Sequence, residues 1–200
     1  MIKTLIFDWG GVLTIGRYTP AILTVLSKKG MSIEKEGELF NEYIIQMNAG
    51  EISFKEFVLK INSRFQLKIT EKEMENVFKE AIIPNENVIV LVRTLAKQYQ
   101  MILLSDNDEA TLKNINKYHK HMLDLFSKTY FSHELKMRKP NQKLFTHVLT
   151  DAKITPAETI FIDDKPENVE SAVNLGMKGI VFSSIDQLKK ELASFSVKIH

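Results

Sequence analysis

The chain has 200 residues, 44% of them hydrophobic, enough to bury one substantial core with room for a small second module. Its 27 Lys and Arg against 25 Asp and Glu leave a net charge of +2, which points to neither a nucleic-acid partner nor a membrane surface. There is no cysteine, which excludes disulfides, thiolate catalysis and cysteine-based zinc sites, and the apolar stretch before Asp8 is too short for a signal peptide or a membrane span, so a cytoplasmic protein is expected.

In chain order, the first predicted element is a strand over Thr4–Phe7, an apolar run that stops at Asp8 and turns on Gly10 and Gly11. Residues 16–85 carry helical patterns and no convincing strand. Helices are predicted over Ala21–Lys29, Glu34–Asn48, Phe54–Phe65 and Glu71–Ala81, separated by Gly30, "NAGEIS" and "QLKIT". Ser53 ahead of Glu56 and Thr70 ahead of Glu73 read as capping boxes. Phe40, Tyr43, Phe54, Phe57 and Phe65 fall at helical spacings and read as the core of this segment. Pro84 and Asn85 mark the return, ahead of a helix over Val88–Lys97.

Strand and helix then alternate. Strands are predicted over Met101–Leu104, Thr129–Phe131, Thr159–Ile162 and Gly179–Phe182. Helices are predicted over Ala110–Tyr118, Gln142–Thr150, Asn168–Leu175 and Asp186–Ala193. Strands that are apolar throughout, rather than alternating, belong to a parallel sheet covered on both faces. The expected fold is a doubly wound α/β sheet built from residues 1–15 and 86–200, with a helical domain, 16–85, inserted after the first strand.

Each apolar strand stops at a residue with chemical potential: Asp8, Ser105-Asp106, Ser132-His133 and Asp163-Asp164. In a parallel sheet these ends share one edge, where open α/β folds bind ligands. Lys139 follows the third strand closely enough to reach the same place. Asp8, Asp163 and Asp164 in one partly dry pocket repel, at ~4 kcal/mol for a close pair at an effective dielectric near 20. A hard divalent cation relieves that, and all-oxygen ligands suit Mg²⁺. Ser105 and Lys139 suit an anion instead, and a site that takes both a cation and an anion suits a phosphate.

Each residue also has a plainer reading on its own. Asp8 is a turn residue, Ser105 with Asp108 is a capping box, Asp164 caps the helix entered at Pro166, and Lys139-Pro140 is a surface loop. His119 and His121, two apart, do not share a helix face and read as surface residues. Trp9 reads as packing at the cleft margin. The joint placement on one sheet edge favours the site.

These segments resemble the haloacid dehalogenase-like hydrolases over essentially the whole chain. "FDWGGVLT" is similar to the family's first motif, "ILLSD" to the second, "MRKP" to the third and "FIDDKPENV" to the fourth. Their order and spacing resemble a member with a helical cap after the first motif, and the surrounding segments are similar to sugar-phosphate phosphatases and the phosphatase domain of soluble epoxide hydrolases. The resemblance implies that Asp8 is a nucleophile forming an aspartyl-phosphate, that Ser105 binds the phosphoryl oxygens, and that Lys139 neutralises their charge and orients Asp8. It also implies that Asp164 ligates Mg²⁺, with Asp8, the Gly10 carbonyl and Asp163 completing the metal site. The implied substrate is a small phosphorylated metabolite, and the protein a monomer or homodimer.

The chain departs from that family's pattern at three positions. Gly10 stands where relatives carry an aspartate whose side chain protonates the leaving group. A glycine retains only the backbone carbonyl, so a slow phosphatase, or one restricted to good leaving groups, is expected, with Asp106, Tyr18 and His133 as candidate substitute bases. Asp106 stands where relatives often have Asn, and is expected to be a helix-start acid turned to solvent if it does not bind substrate. Lys136 stands where relatives often have Gly. Arg17 and Tyr18 fall in the family's flap region and Glu51 in a cap loop, so all three are candidate substrate contacts. A phosphate-binding regulatory protein without turnover is one alternative. A metal-independent dehalogenase is another, which the Asp163-Asp164 pair disfavours.

Overall fold

The structure, a computed structural model, describes residues 1–15 and 18–199, apart from the side chains of Tyr18 and Ala21. Arg17 therefore lies outside the described residues, as does the side chain of Tyr18.

A five-stranded parallel sheet forms the centre, from β1 (Thr4–Phe7), β2 (Gln100–Ser105), β3 (Lys128–Phe131), β4 (Thr159–Asp163) and β5 (Lys178–Val181), in the spatial order β3-β2-β1-β4-β5. Alternate strand residues go to opposite faces, and both faces are buried. Leu5, Phe7, Leu103 and Ile162 join one apolar cluster with α5 (Glu86–Leu95), α6 (Glu109–Tyr118), α7 (Lys120–Leu123) and α11 (Ile185–Ser194). Ile6, Ile102, Leu104 and Phe161 join another with α9 (Gln142–Asp151) and α10 (Pro166–Val173). This layering is the physical reason the strands are apolar runs instead of alternating ones.

The inserted cap is four helices, α1 (Tyr18–Lys28), α2 (Ile33–Asn48), α3 (Phe54–Phe65) and α4 (Glu71–Glu80), around their own cluster, which includes Phe40, Phe54, Phe57, Phe65 and Phe78. Both capping boxes form: Ser53 and Thr70 each exchange hydrogen bonds with the residue three places on, fixing the starts of α3 and α4. Ala110 of α6 belongs to the cap's cluster, and the Phe54 N–H donates to Glu109 Oε1 at 3.0 Å, so the cap is seated on α6. The two chain crossings between cap and sheet are tied together. The Ile15 N–H donates to the Ile83 carbonyl at 2.7 Å and the Asn85 N–H to the Leu13 carbonyl at 2.9 Å.

Two short helices, α7 and α8 (Ser132–Leu135), have no counterpart in the sequence reading, because four residues are too few to show a helical period. Helix α10 begins at Pro166 instead of Asn168, since proline at the first helical position lacks only an N–H that has no intrahelical partner there. Among the described residues no helix is long and apolar enough to cross a membrane.

Candidate active site

Pairing of β1 with β4 carries on past the strand end, where the Asp8 N–H donates to the Ile162 carbonyl at 2.9 Å. This places Asp8 beside Asp163, the last residue of β4. Lys139, on the loop between α8 and α9, is buried, which rules out the surface-loop reading. Its ammonium reaches Asp8 Oδ1 at 2.7 Å and Asp163 Oδ2 at 2.6 Å, and donates to the Leu104 carbonyl at 3.2 Å. Asp163 is fully buried, and accepts further hydrogen bonds from the Lys165 N–H at 2.9 Å and from Asn168 Nδ2 at 3.0 Å. Asp164 is half-buried beside them, and α10 is capped from Lys165 without a side-chain cap, so Asp164 is not a helix cap.

Carboxylate oxygens of Asp8, Asp163 and Asp164 lie within 4.8 Å of one another. The Lys139 ammonium pairs with two of these acids, Asp8 and Asp163. Burial, with Asp163 adding repulsion, pushes the Asp8 carboxyl up to about 7 even though Lys139 pulls it down. Burial opposes the Lys139 charge as well, but Asp163, Asp8 and Asp106 together outweigh it and hold the ammonium above its ordinary range. The cluster thus carries excess negative charge at a convergent set of hard oxygen donors, and these residues fit a magnesium ion.

The loop after β1 is shaped around this cluster. Gly11 has φ +82°, and a Cβ there would stand 2.6 Å from Asp164 Oδ2. The sequence reading placed Gly11 in the turn after β1 but gave it no part in the site. Gly10 lines the cavity, with nothing within 4 Å of where a Cβ would sit.

A cavity of about 130 Å³ lies between sheet edge and cap. Its floor is Asp8, Trp9, Gly10, Asp106, Asn107, Arg138, Lys139, Lys165 and Asn168, and its roof is Thr19, Asn41, Ile44, Ile45, Asn48, Ala81 and Ile82. Ser105 ends β2 and is buried, while Asp106 and Asn107 supply the cavity wall there. Ser105 does not cap α6, because Asp108 does, accepting from the N–H groups of Ala110 and Thr111.

The expectation that Asp106 turns to solvent is corrected. Helix α6 starts three residues later, and Asp106 is held inward, accepting from the Lys139 N–H at 3.1 Å with Arg138 at 3.6 Å from its other oxygen. The Asp106 charge is offset there by the Arg138 guanidinium and the Lys139 N–H. His133 is also corrected as a candidate base: its Nδ1 is 2.6 Å from the Asn107 carbonyl, and it does not line the cavity. Ser132 likewise joins parts of the fold. Its hydroxyl donates to the Asn48 carbonyl at the end of α2 and accepts from the Asn107 N–H at 3.0 Å, tying the cap to the sheet edge. Glu51 is exposed outside the cavity, and Asn48 is the residue of that segment that lines it. Lys136 is left-handed, φ 52°, the conformation glycine adopts without cost. Trp9 is buried and lines the cavity.

Residues 2–176 match the family described as haloacid dehalogenase-like hydrolase. A sesquiterpene phosphatase of Aspergillus oryzae is 29% identical over 182 residues, 89% of this chain and 88% of the relative. A D-ribitol-5-phosphate phosphatase of Bacteroides thetaiotaomicron is 23% identical, over 89% of this chain and 90% of that one. Among solved structures, a HAD family enzyme from Bacteroides thetaiotaomicron in complex with magnesium and inorganic phosphate is similar, with TM-score 0.78, 28% identity and coverage of 92% of this chain and 95% of that one. A doubly wound sheet with an inserted helical cap, acids and a lysine converging at its strand ends, and a family match across most of the sequence agree: the chain belongs to the haloacid dehalogenase-like hydrolases.

Proposed function

We propose that this hydrolase is a Mg²⁺-dependent phosphatase of small phosphate esters, working through an aspartyl-phosphate on Asp8. The observation that carries the reading is the meeting of Asp8, Asp163 and Asp164 within 4.8 Å beside the buried Lys139. The names of the two phosphatase relatives support the reaction class, and the magnesium and phosphate held by the related structure support the cofactor.

Asp8, Asp164 and the Gly10 carbonyl would hold the ion, with Asp163 behind them. A bound magnesium would neutralise charge on the phosphoryl oxygens. The chain's own residues do the rest. Lys139 holds Asp8 Oδ1 and so fixes the carboxylate for in-line attack on phosphorus. An oxygen–phosphorus bond forms to Asp8 as the ester oxygen leaves with the electron pair of the bond it loses, and the departing alkoxide takes up a proton. Water then attacks phosphorus and releases phosphate, restoring Asp8. By the family resemblance Ser105, at the end of β2, would hydrogen-bond the phosphoryl oxygens during both steps.

Gly10 supplies no side chain to protonate the leaving group, so turnover is slow or confined to leaving groups that need little help. General acid–base assistance is worth about 10²–10⁴ in rate. A dehalogenase reading is disfavoured by charge, because Asp163 and Asp164 beside Asp8 oppose an incoming carboxylate.

The test is phosphate release from a panel of aryl, alkyl and polyol phosphates with and without Mg²⁺, beside Asp8→Asn. Metal-dependent release that Asp8→Asn abolishes is expected. Release no faster than in Asp8→Asn would overturn the reading.

A further inference from the structure

We propose that Asp106 is the positioning residue of Lys139: its carboxylate fixes the backbone of that lysine and so decides where the ammonium stands between Asp8 and Asp163. The inference rests on the phosphatase reading and adds a support to the machinery of that same site.

The ammonium end of Lys139 is fully committed. An ammonium has three N–H donors, and this one meets Asp8 Oδ1 at 2.7 Å, Asp163 Oδ2 at 2.6 Å and the Leu104 carbonyl at 3.2 Å. The three acceptors come from the ends of β1, β4 and β2. Between the ammonium and the backbone runs a four-carbon stem with many rotamers. The geometry at Asp8 therefore holds only if the backbone end is held as well.

That end lies in residues 136–141, between α8 and α9, where no helix or strand ladder fixes it. The hold comes from β2 instead. Asp106 Oδ1 accepts from the Lys139 N–H at 3.1 Å, while Oδ2 faces Arg138 at 3.6 Å, so one carboxylate grips two consecutive residues. An N–H donating to a carboxylate makes a stronger bond than one donating to a neutral acceptor, and the Asp106 side chain is only 12% exposed to competing water. On the far side the Ser171 hydroxyl donates to the Pro140 carbonyl at 2.6 Å. Leu104 and Asp106, two residues apart where β2 ends, thus hold the two ends of Lys139. An amide at position 106 would still accept from the Lys139 N–H but would turn its own donors toward Arg138. A shift of about 1 Å in a group that orients a nucleophile costs up to about 10²-fold in rate, so this hold bears on the chemistry.

The test sets Asp106→Ala against Asp106→Asn, whose amide oxygen can still accept from the Lys139 N–H. On an aryl phosphate with Mg²⁺, Asp106→Ala should lower kcat about 10–100-fold with KM little changed, and Asp106→Asn should recover most of that loss. A short pulse of acetic anhydride, with the Lys139 peptide followed by mass spectrometry, reads the ammonium directly. Its side chain is 2% exposed, so wild type and Asp106→Asn should label slowly there. Asp106→Ala should label about tenfold faster, because a loosened loop opens more often, while thermal melts show all three proteins folded. An Asp106→Asn protein as slow as Asp106→Ala would mean that the carboxylate itself takes part in the chemistry. An effect confined to KM would mean that it touches substrate. Either result overturns the proposal, as does unchanged labelling in Asp106→Ala. Should Asp106→Ala fail to fold, Asp106→Ser, whose hydroxyl is one bond too short for the Lys139 N–H, takes its place. Labelling needs no turnover, so a wild-type protein that releases no phosphate sinks the phosphatase reading while the hold on Lys139 is still decided by labelling.

Discussion

Gly11 and Asp164 cannot both carry side chains where they stand: a Cβ on Gly11 would lie 2.6 Å from Asp164 Oδ2. The loop leaving β1 thus determines where the acid following β4 can go, although the two residues are far apart in sequence. Gly11→Ala should cost roughly 1–2 kcal/mol for the left-handed backbone. It should also push Asp164 away from Asp8 and weaken Mg²⁺ binding by about 10–100-fold, as disturbed supports of metal ligands do. Calorimetric titration with Mg²⁺ checks it, and unchanged affinity would remove Asp164 from the metal site.

Gly10 is the opposite case, with open space where its side chain would be. Gly10→Asp should fold normally and speed hydrolysis of alkyl phosphates by up to about 10²-fold, with a smaller gain on aryl phosphates, whose leaving groups need no proton. Steady-state rates on both ester types check this. No gain in a folded variant that binds Mg²⁺ would mean that another residue already supplies the proton.

Lys139 is the sole cation in contact with both Asp8 and Asp163 among the described residues. Lys139→Met should abolish turnover and, without metal, destabilise the fold by about 3–5 kcal/mol, because two buried carboxylates lose their partner. Urea unfolding in chelator reads the loss, and Mg²⁺ should recover part of it. A stability equal to wild type would show that the acids are not ionised together.

The Asp8 carboxyl is raised to about 7 by burial, above its unfolded value near 3.8. Between those values the folded metal-free protein holds a proton that the unfolded chain has released. Asp8 therefore favours folding at low pH, and that contribution falls as pH rises from about 4 to about 7. Asp8→Asn should flatten this slope in chelator and raise stability at pH 8, as followed by urea midpoints across pH. Mg²⁺ binding, which displaces the same proton, should weaken below about pH 7 by up to tenfold per unit.

Ser132 links the cap to the sheet edge through the Asn48 carbonyl and the Asn107 N–H. Ser132→Ala removes both of these buried hydrogen bonds and should cost about 1–3 kcal/mol. Because the cap then seats less firmly over the cavity, KM should rise more than kcat falls. Thermal melts and steady-state kinetics separate the two effects, and a fall in kcat alone would argue against a docking role.

Much of the architecture is legible in the sequence because the signals are local. Apolar runs mark the strands, Thr4–Phe7 and Phe54–Phe65 are read to the residue, and Ser53 and Thr70 announce their helices through capping boxes. That parallel strands end on one edge is enough to gather Asp8, Lys139, Asp163 and Asp164 from opposite ends of the chain. Asp106 could not be oriented in this way, because its direction depends on where α6 begins and on an arginine more than thirty residues away.

By itself, then, the sequence determined the sheet, the inserted helices and the identity of the acids and lysine at the strand ends, since those follow from hydrophobic period and chain order. Only the tertiary structure decided that Gly11 makes room for Asp164, that Asp106 turns inward against Arg138, and that Asn107 and Ile44 face one cavity. Those relations arise when the cap closes over the sheet edge, and side chains brought together by that packing share no local pattern along the chain.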